Sequence, residues 1–302
     1  MAVSTPPATI LASYEGARPP APRWFTQALA RKPDRHVLAR EAGGIEYYVW
    51  GEEGRPGLFL LHGGGAHALW WAHIAPFFAD THRVAAMSMA GMGGSSWRES
   101  YSILEHANDM KAVAEAAGLF AAGKPVVAGH SFGGAPTATA AADPDAWVAR
   151  AFIIDSSLQM RHSPDNHERE QRERRYFGSI AEGLARFRFL PAQSCDNHYI
   201  ADMIARDAIV EIEPGRWSWC FDPNGFGNTK RLESAKKART ANCPLAIIYG
   251  DRSAIMDDEA LGHLRDTMPE GTPFVAIPDS GHHVMVDQPL ALVAAMRALL
   301  AG

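Results

Sequence analysis

Short apolar runs alternate along this chain with longer stretches of helical pattern, and that rhythm constrains the fold more than any other feature. The runs occupy residues 45–50, 58–61, 84–87, 125–128, 151–154, 245–249 and 273–277. Each is bounded by Gly, Pro or polar residues and, apart from Glu46 in the first, is apolar throughout, which predicts strands buried on both sides. Between them, residues 103–117, 133–142, 257–267 and 289–300 carry helix-like sequence. Strand–helix alternation predicts an α/β fold, with a mostly parallel sheet and helices on both faces. With 302 residues, 47% of them hydrophobic, the chain has ample material for such a core.

One stretch breaks the rhythm. Residues 157–240 contain no buried-strand run, concentrate Arg, His and aromatics, and are punctuated by Pro191, Pro214 and Pro223. They are expected to form a helical cap over one edge of the sheet. The chain then divides into an N-terminal arm (1–35), a core (36–156 and 241–302) and the cap (157–240). The arm, rich in Pro and Ala, shows no strand pattern and offers Trp24 and Phe25 as an anchor. Within the cap, the run His167 to Arg175 sets Arg against Glu and Gln at helical spacing, as a solvated helix face does. A net charge of −5 gives no basic field for nucleic acid. No apolar run approaches the roughly 20 residues that span a bilayer. No basic head followed by an apolar stretch opens the chain, and Cys195, Cys220 and Cys243 form an odd set without paired spacing. These features lead us to expect a cytoplasmic protein with reduced thiols, monomeric or homodimeric, acting on a small molecule without nucleic acid or membrane.

Three motifs carry chemistry. Gly129-His130-Ser131-Phe132-Gly133 follows a strand run and precedes an Ala-rich helix, the setting that a G-x-S-x-G turn requires. A serine there sits on a sharp, strained turn above the end of the strand. Its flanking glycines approach other backbone too closely for side chains. The helix N-terminus behind it favours developing negative charge. His62-Gly63-Gly64-Gly65 follows the strand at 58–61, and bare amides on such a loop approach an oxygen freely. Gly64, with Phe132, is the expected pair of oxyanion donors. Gly281-His282-His283 follows the strand at 273–277. His282, directly after the glycine, is the expected general base, and His283 packs beside it or shapes the pocket.

These segments, in this order, resemble the α/β-hydrolase superfamily over about residues 45–300 apart from the insertion. The third motif, GHHVMVDQP, fits that family's form G-H-x-x-x-x-[ED]-x-P. The resemblance implies a Ser-His-acid triad, but the acid departs from the common pattern. Most members place it three residues after the glycine ending the seventh strand. Here that glycine is Gly250, and the position holds Ser253. A minority, including haloalkane dehalogenases and some lactone hydrolases, place it after the sixth strand. Here that residue is Asp155, 24 residues beyond Ser131, and it is the expected acid, with Asp251 as the alternative. A second departure is Ser88-Met89-Ala90-Gly91-Met92-Gly93, where many relatives read Asp-x-Arg-Gly-x-Gly.

The resemblance implies a serine hydrolase that cleaves a small ester, lactone or related acyl compound through an acyl-enzyme, with no cofactor. Three further possibilities stay open: a carbon–carbon bond hydrolase, a cofactor-free dioxygenase of this fold, and a hydrolase-fold receptor for a small ligand. Serine at 131 excludes the dehalogenases and epoxide hydrolases, which need a carboxylate nucleophile. His62, His67 and His73 lie close in sequence but lack accompanying carboxylates, so no metal site is expected. Of Trp70 and Trp71, one is expected at the pocket and one in the core. Trp217 and His283 complete the candidate pocket residues, which suggest an apolar or aromatic substrate.

Overall fold

The computed structural model describes residues 9–158, 172–225, 229–230 and 234–302. Eight strands form one sheet: β1 (Asp34–Leu38), β2 (Ile45–Trp50), β3 (Gly57–Leu61), β4 (Arg83–Met87), β5 (Val126–His130), β6 (Arg150–Ile154), β7 (Leu245–Gly250) and β8 (Phe274–Ile277). Their spatial order is β1-β2-β4-β3-β5-β6-β7-β8. From β4 to β8 every pairing is parallel, whereas β1 and β2 form an antiparallel hairpin that joins the sheet through β2 and β4.

The all-apolar runs are explained by where their residues go. Leu58, Leu60, Phe152 and Ile154 belong to a core cluster on one face, and Phe59, Leu61, Ala151 and Ile153 to a second on the other. All eight are fully buried, and each large side chain so buried contributes about 1.5–3 kcal/mol. The helices are α1 (Arg23–Ala30), α2 (Ile103–Ala116), α3 (Gly134–Ala141), α4 (Asp258–Thr267) and α5 (Pro289–Ala301); α2 to α5 lie close to the helix-like stretches of the sequence, whereas α1 falls in the segment read as an arm. α3 is buried along its whole length, and its Gly, Ala and Thr side chains allow that approach.

Three expectations need correction. The run at 273–277 predicts a strand buried on both sides, but β8 ends the sheet and only Ile277 of its residues is buried, because an edge strand has a neighbour on one side alone. β1 begins at Asp34, inside the segment read as an arm without strand. It is an exposed edge strand, so it carries no apolar run. The insertion is not purely helical. Besides helices at Ile180–Leu184, His198–Ala208 and Ser234–Arg239, it holds a three-stranded antiparallel sheet of Tyr176–Phe177, Arg216–Trp219 and Ile209–Glu213. Those strands are half-exposed and alternate in polarity, a weaker signal than a buried run. The Pro214-Gly215 turn, with Gly215 at φ +74°, is their clearest mark. Of the charged run at 167–175, only Arg172–Arg175 lies within the described residues, and it is not helical.

Trp24 and Phe25 do anchor the N-terminal segment: Phe25 is buried against Tyr199, and Trp24 meets Phe77 and Tyr199. Arg206 also donates to the Gly16 carbonyl at 2.6 Å, tying this segment to the insertion. No helix among the described residues is long and apolar enough to cross a membrane.

Candidate active site

Strand register brings the chemistry to one edge. His130 pairs with Ile154, so Ser131 and Asp155 leave neighbouring strands at the same level. Ile154 in turn pairs with Ile248, two residues before Gly250. Ser131 holds φ +52° and Asp155 φ +44°, both in the left-handed region that costs a non-glycine residue energy. The flanking glycines are required sterically. A Cβ at Gly129 would lie 2.2 Å from Thr137 Oγ1, and one at Gly133 would lie 2.4 Å from the His62 carbonyl oxygen.

His282 comes from the loop after β8, and its ring spans the gap. Nε2 lies 2.9 Å from Ser131 Oγ, and Nδ1 lies 2.7 Å from Asp155 Oδ1. A carboxylate only accepts, so Nδ1 carries the proton and Nε2 is left to receive one. Asp155 is fully buried and accepts two more hydrogen bonds, from Ser253 Oγ at 2.6 Å and the Gly250 amide at 2.7 Å. Asp251 is exposed and instead accepts from the Ser280 amide at 3.1 Å. In the sequence, Ser253 reads only as the loss of the usual acid, because serine cannot carry its charge. Its position three residues after Gly250 is the available signal, and here it donates to the acid instead.

His283 is buried against Phe189, Trp70 and His130, with ring centroids 4.8, 5.3 and 5.5 Å away. Burial and the neighbouring imidazoles push the pKa of His130 and of His283 well below the ordinary histidine range, so both rings are neutral at pH 7. Ring nitrogens of His130, His282 and His283 lie within 4.8 Å of one another. Trp70 therefore borders the site, whereas Trp71 is fully buried in the core. Trp217 is half-buried in the insertion's own sheet, paired with Phe177 and Glu211. The clustered histidines 62, 67 and 73 do not converge. His67 Nε2 donates to the Ile204 carbonyl at 3.1 Å and His73 Nε2 to that of Met285 at 2.7 Å.

The glycine loop is held by a network that the sequence did not reveal. His62 Nε2 accepts from the Met89 amide at 2.9 Å, while Nδ1 donates to the Gly63 carbonyl at 2.6 Å. Burial lowers the His62 pKa to about 3, so the ring stays neutral. Ser88, in the place of the usual Asp, accepts from the Ala68 amide at 3.1 Å and donates to Glu46 Oε2 at 3.0 Å. Glu46 also accepts from Gly94 N at 2.8 Å and from Arg35 Nε at 2.8 Å. A carboxylate from β2 thus stands in for the missing Asp, and no local motif announces it. Gly63 faces the serine directly: a Cβ there would lie 3.1 Å from Ser131 Cβ. Gly64 is exposed, and Phe132 is half-buried with its ring edge-on to His106.

A doubly covered, mostly parallel sheet, a strained serine after its fifth strand and a histidine loop after its last define an α/β hydrolase. The chain belongs to the alpha/beta hydrolase family, whose model matches residues 58–296. It is similar to esterase Rv0045c of Mycobacterium tuberculosis, 28% identical over 290 residues that cover 91% of this chain and 92% of that protein. A solved structure of that esterase superposes with a TM-score of 0.72 at 19% identity, covering 97% and 98% of the two chains. The thioesterase domain from the curacin biosynthetic pathway reaches 0.72 at 20% identity, covering 88% and 99%.

Proposed function

We propose that this hydrolase is a serine esterase that cleaves a small carboxylic ester or lactone through an acyl-enzyme, with Ser131 as nucleophile, His282 as base and Asp155 as acid. The observation that carries the reading is the unbroken line from Ser131 Oγ through His282, at 2.9 Å, to Asp155, at 2.7 Å. His282 Nε2 takes the hydroxyl proton as Oγ attacks the carbonyl carbon. Asp155 keeps the imidazole in the required tautomer and offsets the charge it gains. Ser253 and the Gly250 amide hold that carboxylate in place. The Phe132 and Gly64 amides receive the oxyanion, which in comparable enzymes is worth about 3 kcal/mol per donor. Collapse of the tetrahedral intermediate expels the alcohol, which takes its proton from His282. Water, deprotonated by the same nitrogen, then releases the acid.

Residues 157–240 act as the cap in this reading. The rings of Trp70, Phe189 and His283 beside the base favour an apolar or aromatic group on the substrate. The similarity to a mycobacterial esterase supports ester chemistry over carbon–carbon cleavage. A panel of p-nitrophenyl esters, lactones and amides, with fluorophosphonate labelling, tests the proposal. Turnover with stoichiometric labelling at Ser131 is expected. No labelling points to a receptor, and oxygen uptake that survives Ser131→Ala points to a dioxygenase.

A further inference from the structure

We infer that Gln193, from the insertion, is a positioning residue for His282, so that seating of residues 190–199 on the core and readiness of the base are one event. This rests on the reading of Ser131, His282 and Asp155 given above.

The His282 ring is held by its two side-chain partners, but its backbone lies on a loop that needs separate support. His130 Nε2 donates to the His282 carbonyl at 2.9 Å. On the N-terminal side, the Gly281 amide donates to Asp287 Oδ2 at 2.7 Å. On the C-terminal side, the His283 amide donates to Gln193 Oε1 at 3.1 Å. Gln193 Nε2 closes the ring by donating to both Asp287 oxygens, each at 3.0 Å. The two amides flanking His282 are therefore joined through one side chain from the insertion. Asn197 reinforces the seating, donating from Nδ2 to the carbonyls of Val286 at 2.8 Å and Asp287 at 3.1 Å. The fit is close: a Cβ on Gly281 would lie 3.1 Å from Gln193 Oε1 and 3.2 Å from Asp287 Oδ2.

The chemistry calls for an amide at 193. One end must accept from an N–H and the other must donate to a carboxylate, and Gln does both. Glu offers acceptors only. It keeps the bond from the His283 amide but sets a second carboxylate against Asp287. The surroundings of Asp287 make that costly. Burial, together with the Asp196 and Asp155 carboxylates, pushes its pKa up to about 6 against the lowering effect of the Gly281 amide and Gln193. The neutral His283 ring supplies no compensating charge. In Gln193→Glu the pair regains a donor only when it takes up a proton, so the clamp should reassemble as pH falls.

The test measures p-nitrophenyl butyrate hydrolysis by wild type, Gln193→Ala, Gln193→Glu and Ser131→Ala from roughly pH 5.5 to 8.5, around the histidine range. Gln193→Ala is expected to lower kcat about tenfold, the worth of one hydrogen bond to a charged group, with KM changed less than about twofold. For Gln193→Glu, the kcat relative to wild type is expected to rise about tenfold from the alkaline to the acid end of that range, one pK unit of coupling expressed as rate. Fluorophosphonate labelling of Ser131 should follow the same pattern. A flat ratio for Gln193→Glu overturns the inference, as does an unchanged kcat in Gln193→Ala. If the Glu variant does not fold, Gln193→Ala decides through its split between kcat and KM. Wild-type hydrolysis that persists in Ser131→Ala would instead overturn the triad reading. Hydrolysis lost in Ser131→Ala but unchanged in both Gln193 variants would overturn the clamp alone.

Discussion

Replacing Asp155 by Asn challenges the proposed triad most directly, and the geometry sets the size of the effect. The carboxylate accepts from His282 Nδ1 at 2.7 Å, Ser253 Oγ at 2.6 Å and Gly250 N at 2.7 Å. All three partners are donors, so an amide at 155 must turn its NH2 group on one of them. If His282 yields by changing tautomer, Nε2 becomes protonated and no longer receives the Ser131 proton. The imidazolium also loses its counter-charge. The same change in Ser-His-Asp triads lowers kcat by about 10⁴, or ~5 kcal/mol of transition-state stabilisation. We expect a kcat for p-nitrophenyl butyrate about 10⁴ below wild type, with KM within about threefold. Ser253→Asp is then added to an Asp155→Ala background and compared with Asp155→Ala alone, because an asparagine at 155 would still fill the space 2.6 Å from Ser253 Oγ. A carboxyl group there projects an oxygen about 1.2 Å beyond the present Oγ, toward the vacated acceptor position. The double variant should regain at least about tenfold over Asp155→Ala, a partial return of the lost stabilisation. An Asp155→Asn enzyme keeping more than about a tenth of wild-type kcat refutes the triad, since that loss is under ~1.4 kcal/mol. A double variant no faster than Asp155→Ala refutes only the idea that 253 is a second station for the acid.

Three further outcomes follow from the same structure. Ser131→Ala should lose the p-nitrophenol burst in stopped-flow mixing and about 10⁶ in kcat. Gly133→Ala drives a Cβ to 2.4 Å from the His62 carbonyl oxygen and should cost about 1–3 kcal/mol, read as a lower Tm. For Glu46, burial opposes the charge, yet the Gly94 amide, Arg35 and Ser88 hold its pKa below the ordinary 4.5. A depressed pKa contributes stability that is complete above the unfolded value and is lost as pH falls through the folded one. Urea melts should therefore show Glu46→Gln weaker than wild type at neutral pH, with the difference shrinking below about pH 4.5; a constant difference counts against the network.

Elements buried on both faces were the most legible in the sequence, because a strand such as Gly57–Leu61 must be apolar throughout and forms a short run set off by its polar, Gly and Pro flanks. The edge strand Asp34–Leu38 and the ribbon Ile209–Glu213 with Arg216–Trp219 were hidden, since exposed strands carry ordinary polar residues. The serine turn and the histidine loop were legible as contiguous motifs whose glycines answer local steric demands. Ser253 and Glu46 were not, because a hydrogen bond to a residue 98 positions away, or 42 in the case of Ser88, leaves no local pattern.

By itself the sequence determined the parallel sheet, the strained turn at Ser131 and the candidate base and acid. Periodicity, chain stiffness and glycine's missing side chain act over a few residues and are written in consecutive letters. Only the tertiary structure decided between Asp155 and Asp251 as the carboxylate touching His282, through the register of β5, β6 and β7. It also decided which polar side chains steady the loops around the serine, Glu46 from β2 and Gln193 from the insertion. Hydrogen-bond partners are chosen by distance in space, and distance in space is set by packing.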